Sequence, residues 1–75
     1  MVESLLLVES STPNEEALRS LSLSNAKQIV LGTAPGMGAV LHVAATTAAD
    51  LSNALVKFAQ VKGVKGVLTL LVRNR

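Results

Sequence analysis

Residues 28–49, QIVLGTAPGMGAVLHVAATTAA, carry no formal charge, and their reading decides the fold. The run is long enough to cross a bilayer as one helix. Pro35, Gly36, Gly38 and His42 sit in its middle, however, and Thr46 and Thr47 close it. Proline lacks an amide donor and glycine is a poor helix former, so a helix would break at its centre. Two strands joined by a turn satisfy the same residues. Residues 27–32 (KQIVLG) read as a strand at a sheet edge, because the first half is polar, and residues 39–45 (AVLHVAA) as its hairpin partner. Between them Pro35-Gly36 predicts a type II turn: proline presets the first corner, and glycine accepts the positive φ at the second. The glycines do not make a phosphate loop. They lead into a strand rather than a helix N-terminus, and no Gly-Lys-Ser/Thr follows.

Upstream, residues 4–9 (SLLLVE) form an apolar run suited to a central strand. Thr12, Pro13 and Glu15 then predict a helix start, with Thr12 as cap, Pro13 in the first helical position and Glu15 closing a capping box. Ala17, Leu18 and Leu21 give that helix one apolar face, and residues 22–25 end it. The adjacent Glu15 and Glu16 suit the positive end of a helix dipole better than a catalytic carboxylate pair. Downstream, Thr47 and Asp50 open a second helix. Leu51, Ala54, Leu55, Phe58 and Ala59 recur at helical spacing on one side of it, with Ser52, Asn53, Lys57 and Gln60 on the other. Gly63 ends this helix, and residues 67–72 (VLTLLV) are a final strand.

The order strand, helix, strand, strand, helix, strand predicts one α+β domain over residues 1–75. Its expected form is ferredoxin-like βαββαβ, a four-stranded antiparallel sheet with two helices on one face. Side-chain alternation would set Leu41 and Val43 opposite to Val40, His42 and Ala44, and Leu68, Leu70 and Val72 opposite to Thr69 and Leu71. Both sides of the sheet then carry apolar groups, whereas a wet outer face would show polar alternation. A domain of this size buries only about 60% of its unfolded surface, yet 49% of the residues are hydrophobic and the mean hydropathy is +0.47. A homo-oligomer, dimer or larger, is therefore expected, with Val40, His42, Leu68, Leu70 and Val72 as interface residues.

Composition excludes more than it assigns. The chain has no cysteine and one histidine, so disulfides, thiolate metal sites and cysteine nucleophiles are ruled out, and no metal or cofactor is expected. His42 has no Asp, Glu or Cys at a useful sequence spacing to orient it as a catalytic base. No catalytic residue is expected, and the chain reads as a non-enzyme. Phe58 is the one aromatic residue, too few for a stacking platform on single-stranded nucleic acid. The net charge of +2 gathers at Lys57, Lys62, Lys65, Arg73 and Arg75 without the dense stripe of a phosphate-backbone binder. No secretory pattern is visible at the N-terminus, and a cytoplasmic, non-membrane protein is expected.

Residues 50–73, DLSNALVKFAQVKGVKGVLTLLVR, resemble the end of the small ligand-binding (RAM) domain of Lrp/AsnC-type regulators. That family typically runs from Asp-Leu through an amphipathic helix to Pro-Gly-Val and a strand ending Thr-x-Leu-Val-Leu. Here Val61-Lys62-Gly63-Val64 stands where Leu-Pro-Gly-Val is usual, and Thr69-Leu70-Leu71-Val72 closes the match. The family's Gly-Asp or Tyr-Asp before the third strand is replaced by Gly36-Met37-Gly38. The resemblance implies a βαββαβ fold, dimers joined through sheets and a small amino-acid effector bound between dimers. Turn position would put that effector near Gly36, Gly38, Lys62 and Lys65. No DNA-binding helix-turn-helix precedes the segment, so direct DNA binding is not expected. Ser4-Leu5-Leu6-Leu7 is also similar to the opening of the NapD-type chaperones, which implies capture of a twin-arginine signal peptide. Pro35-Gly36-Met37-Gly38 before a strand resembles subtilisin-propeptide inhibitors, which implies a C-terminal segment placed in a protease cleft.

Overall fold

The computed structural model describes residues 1–74; the notable basic residue beyond them, Arg75, lies outside the described residues. The element order is β1 (Val2–Glu9), α1 (Glu15–Ser20), β2 (Ala26–Ala34), β3 (Gly38–Ala45), α2 (Ala48–Ala59) and β4 (Gly66–Asn74). All four strands form one antiparallel sheet in the order β2-β3-β1-β4. β2 is an edge, as its polar first half predicts, and β4 is the other.

The core lies on one side of the sheet. Val2, Leu6 and Val8 of β1 and Ala39, Leu41, Val43 and Ala45 of β3 pack with Leu18 of α1 and Leu51, Ala54 and Phe58 of α2. β1 alternates buried and half-buried along its whole length, the period-two signature of a strand covered on one face. Leu41 and Val43 point into this core and Val40, His42 and Ala44 away from it, as their alternation predicts. Ala59, read as part of the apolar face of α2, is exposed one residue past Phe58, where the helix ends.

The local signals differ in how far they carried. Thr47 caps α2, its hydroxyl oxygen accepting from the Asp50 amide at 3.2 Å. The Pro35-Gly36 turn closes with the Met37 amide donating to the Ala34 carbonyl at 3.0 Å, and Gly36 takes φ +83°, the positive value the second corner of a type II turn requires. The start of α1 is two residues later than expected. Asn14, not Thr12, is the cap, accepting from the Ala17 amide at 3.2 Å. Asn caps as well as Thr, and the later start places Glu15 and Glu16 in the first turn, where the helix dipole favours them. Glu15 also pairs with Arg19 at 3.0 Å, one turn on.

The short helix α1 is held by β2 rather than by its own length. Gln28, on the helix-facing side of that strand, donates its side-chain amide to the Leu18, Arg19 and Leu21 carbonyls, which the helix end leaves without intrahelical partners. Gln28→Ala is expected to cost about 1–2 kcal/mol, because several carbonyls lose one shared donor. Urea unfolding should show the midpoint fall with the slope unchanged.

Candidate interaction surface

The side of the sheet away from the helices is uncovered, and cross-strand pairing fixes what it presents. Residues directly opposite one another share a face. One row across the sheet therefore runs Lys27, Ala44, Glu3, Arg73; the next runs Ile29, His42, Leu5, Leu71; a third runs from Val40 through Leu7 to Leu68. Two apolar rows thus lie beside a row of alternating charge. On the far side of the apolar rows stands Glu9, opposite Gly38 on one strand and Gly66 on the other. Ile29 is 59% exposed, Leu71 55% and Leu68 48%, so the open face presents apolar side chains to water at both of its edges.

A depression of about 170 Å³ opens on this surface, lined by Glu3, Ser4, Leu5, His42, Leu71 and Arg73. His42 Nε2 lies 3.8 Å from Glu3 Oε2, both side chains partly buried. The acid absent from the sequence neighbourhood of His42 is thus supplied by the adjoining strand, diagonally, because Leu5 pairs with His42 and Glu3 with Ala44. Sequence spacing alone could not reveal it; the β1–β3 register does. Ser4 points the other way, is 2% exposed, and donates its hydroxyl to the Leu71 carbonyl at 2.9 Å.

β4 departs from the expected alternation. Its register against β1 shifts between Leu5 and Leu6: Leu5 faces Leu71, but Leu6 faces Thr69, so Leu70 is an inserted residue. Leu68, Leu71 and Arg73 therefore share the open face, while Val67, Thr69 and Val72 lie on the helix side. Of the five residues read as interface, Val40, His42 and Leu68 share the open face, Leu70 occupies the bulge, and Val72 is on the opposite side. Leu71, which the alternation had set apart, belongs to the open face. The cause is one extra residue, which reverses the alternation of everything after it.

The residues read as ligand-binding gather at the end of β1. Gly36 donates its amide to the Ser11 carbonyl at 2.9 Å, the Ser10 amide bonds the Met37 carbonyl at 3.1 Å, and the Lys65 amide bonds the Glu9 carbonyl at 2.7 Å. Gly36, Gly38 and Lys65 thus flank one end of the sheet, with the exposed Lys62 in the turn before Gly63. Gly38 is buried against the β1 backbone and has a packing role of its own.

Among the described residues, no group of three or more His, Cys, Asp or Glu side chains is placed to hold a metal ion. No helix among them is long and apolar enough to cross a membrane. No family model, no curated protein and no solved structure matches this chain.

Proposed function

We propose that this chain is a small, non-catalytic assembly and binding module of ferredoxin-like architecture, which meets another copy of itself through the open face or an edge of its sheet. The sheet order supports the architecture: read from the β4 edge it is β4-β1-β3-β2, the arrangement two crossing βαβ units produce. The observation that carries the assembly is the run of exposed apolar side chains on the open face and β4. Leu68, Leu70, Leu71 and Val72 are each about half exposed, and Ile29 lies at the other side of the same sheet. Water contact on that surface is unfavourable by about 25 cal/mol for each Å² of apolar area.

The Lrp/AsnC-type reading adds a small effector, such as an amino acid, at a subunit junction. The gathering of Gly36, Gly38, Lys62 and Lys65 at one end of the sheet supports it. A second reading, capture of an extended signal peptide as in NapD-type chaperones, is favoured by the free edge of β4, to which a strand can add.

Light scattering after size exclusion, over a range of concentrations, tests the assembly. A dimer or larger ring is expected. A monomer throughout that gains mass only with an arginine-pair peptide would replace assembly by peptide capture. For the effector, an amino-acid screen should raise the Tm of the oligomer. The variant that tests its site is Lys62→Gln with Lys65→Gln, since both side chains are exposed and Gly38 cannot be changed without damage to β1.

A further inference from the structure

The two edges of the sheet are not equivalent. β2 carries Lys27 and runs into Pro35, features that discourage pairing with another strand. β4 runs nine residues, Gly66–Asn74, with neither proline nor a charge before Arg73, and its apolar side chains are exposed. A long apolar edge of this kind is a template for another strand.

The bulge leaves β4 complementary to itself in two registers, and charge separates them. In antiparallel self-pairing, opposed residues must belong to the same face. Without an inserted residue such a pairing would centre on a residue. In β4 a centre at Leu70 would set Leu68 against Val72 and Arg73 against Val67, each pair mixing the two faces. A centre between Leu68 and Thr69 opposes those two residues, again one from each face. A centre between Leu70 and Leu71 matches faces outside the bulge, setting Thr69 against Val72, but it sets Arg73 against Leu68. Centring between Thr69 and Leu70 also leaves no mismatch outside the bulge. Gly66 then meets Arg73, and Leu68 meets Leu71, on the open face; Val67 meets Val72 on the helix side; and the bulge residues Thr69 and Leu70 meet each other.

Charge selects this register over the one centred between Leu70 and Leu71. The Glu9 carboxylate leans over Gly66, its Oε1 3.3 Å from where a Cβ would stand. Gly66 has no side chain to block the way, so Arg73 of a second copy, set opposite Gly66, reaches across it to Glu9. Two-fold symmetry makes this contact twice.

We infer that two copies pair β4 to β4 about an axis between Thr69 and Leu70, forming one continuous eight-stranded sheet (four strands from each copy) with Glu9–Arg73 contacts at both ends of the seam. This rests on the assembly reading above and names its surface.

The chain has no natural cysteine, so mixing single-cysteine variants reads the register directly. Leu68 and Leu71 are both exposed, which lets Leu68→Cys and Leu71→Cys fold. Under mild oxidation, a mixture of these two should give a disulfide-linked dimer, because directly opposed Cβ atoms lie within disulfide reach. Leu68→Cys mixed with Val72→Cys, the pair of the Leu70-centred register, should not. Glu9→Gln should raise the dimer Kd about fivefold and reduce its salt dependence, as expected for two partly exposed ion pairs. A dimer by light scattering with linkage only in the Leu68–Val72 mixture, or in neither, overturns the β4 register and leaves assembly standing. A monomer at every concentration overturns both. A Kd unchanged by Glu9→Gln overturns the Glu9–Arg73 contact.

Discussion

Gly38→Ala is expected to destabilise the protein severely. Gly38 opens β3 at φ +150° and stands opposite Glu9 of β1. A Cβ added there would overlap the Val8 carbonyl oxygen, with the carbonyl carbon 2.9 Å away and the Glu9 Cα at 3.1 Å. These are backbone atoms of a strand paired on both sides, so the clash cannot be relieved by a rotamer change. The cost is on the order of 3 kcal/mol or more, against a total stability of about 4–11 kcal/mol for a domain this size. Circular dichroism melts should show Tm falling by about 12–24 °C. A Tm within a few degrees of the parent would refute this account of Gly38. Gly36→Ala is the informative contrast: its φ is also positive, but the space around it is open, so only backbone strain of about 1 kcal/mol opposes the change.

Phe58→Ala should be comparably severe for a different reason. Phe58 is the largest fully buried side chain and joins α2 to the β1 and β3 residues of the core. The chain has no other aromatic residue, so no second ring can fill the space. Loss of its transfer free energy together with the cavity left behind amounts to about 3–5 kcal/mol. Phe58→Leu keeps most of the volume and should cost no more than about 1.5 kcal/mol. Urea titration of both variants separates packing volume from mere apolarity: equal losses would show that the ring's size is not what the site uses.

The elements were legible in the sequence where the cause of each is local. Thr47 and Asp50 announce the start of α2, the spacing of Leu51, Ala54 and Phe58 announces its buried face, and Pro35-Gly36 announces a turn with the φ found there. Asn14 does not stand out as a cap in the sequence, because Thr12 and Pro13 make an equally good local pattern two residues earlier. The misreadings that matter for the surface have long-range causes. The bulge at Leu70 exists only in the pairing of β4 with β1, and it exchanges Leu71 for Val72 on the open face. The nearness of Glu3 to His42 is likewise a property of register between strands far apart in sequence. The depression lined by Glu3, His42 and Arg73 draws its polar side chains from β1, β3 and β4, so no contiguous motif could display it.

The pairing of β1 with β4 also governs when the sheet can be finished. β1 takes β4 as its neighbour along its full length, from Val2 opposite Asn74 to Glu9 opposite Gly66. Contacts so distant in sequence close large loops and slow folding. During synthesis, at about 5–20 residues per second, the interval between the appearance of Glu9 and Gly66 is roughly 3–11 s. Through that interval β1 has an edge with no partner strand and presents Leu5, Leu6, Leu7 and Val8 in one unbroken apolar run. Chaperone engagement and early aggregation of the nascent chain should therefore respond to how fast the ribosome reaches β4, more than to the stability of the finished domain.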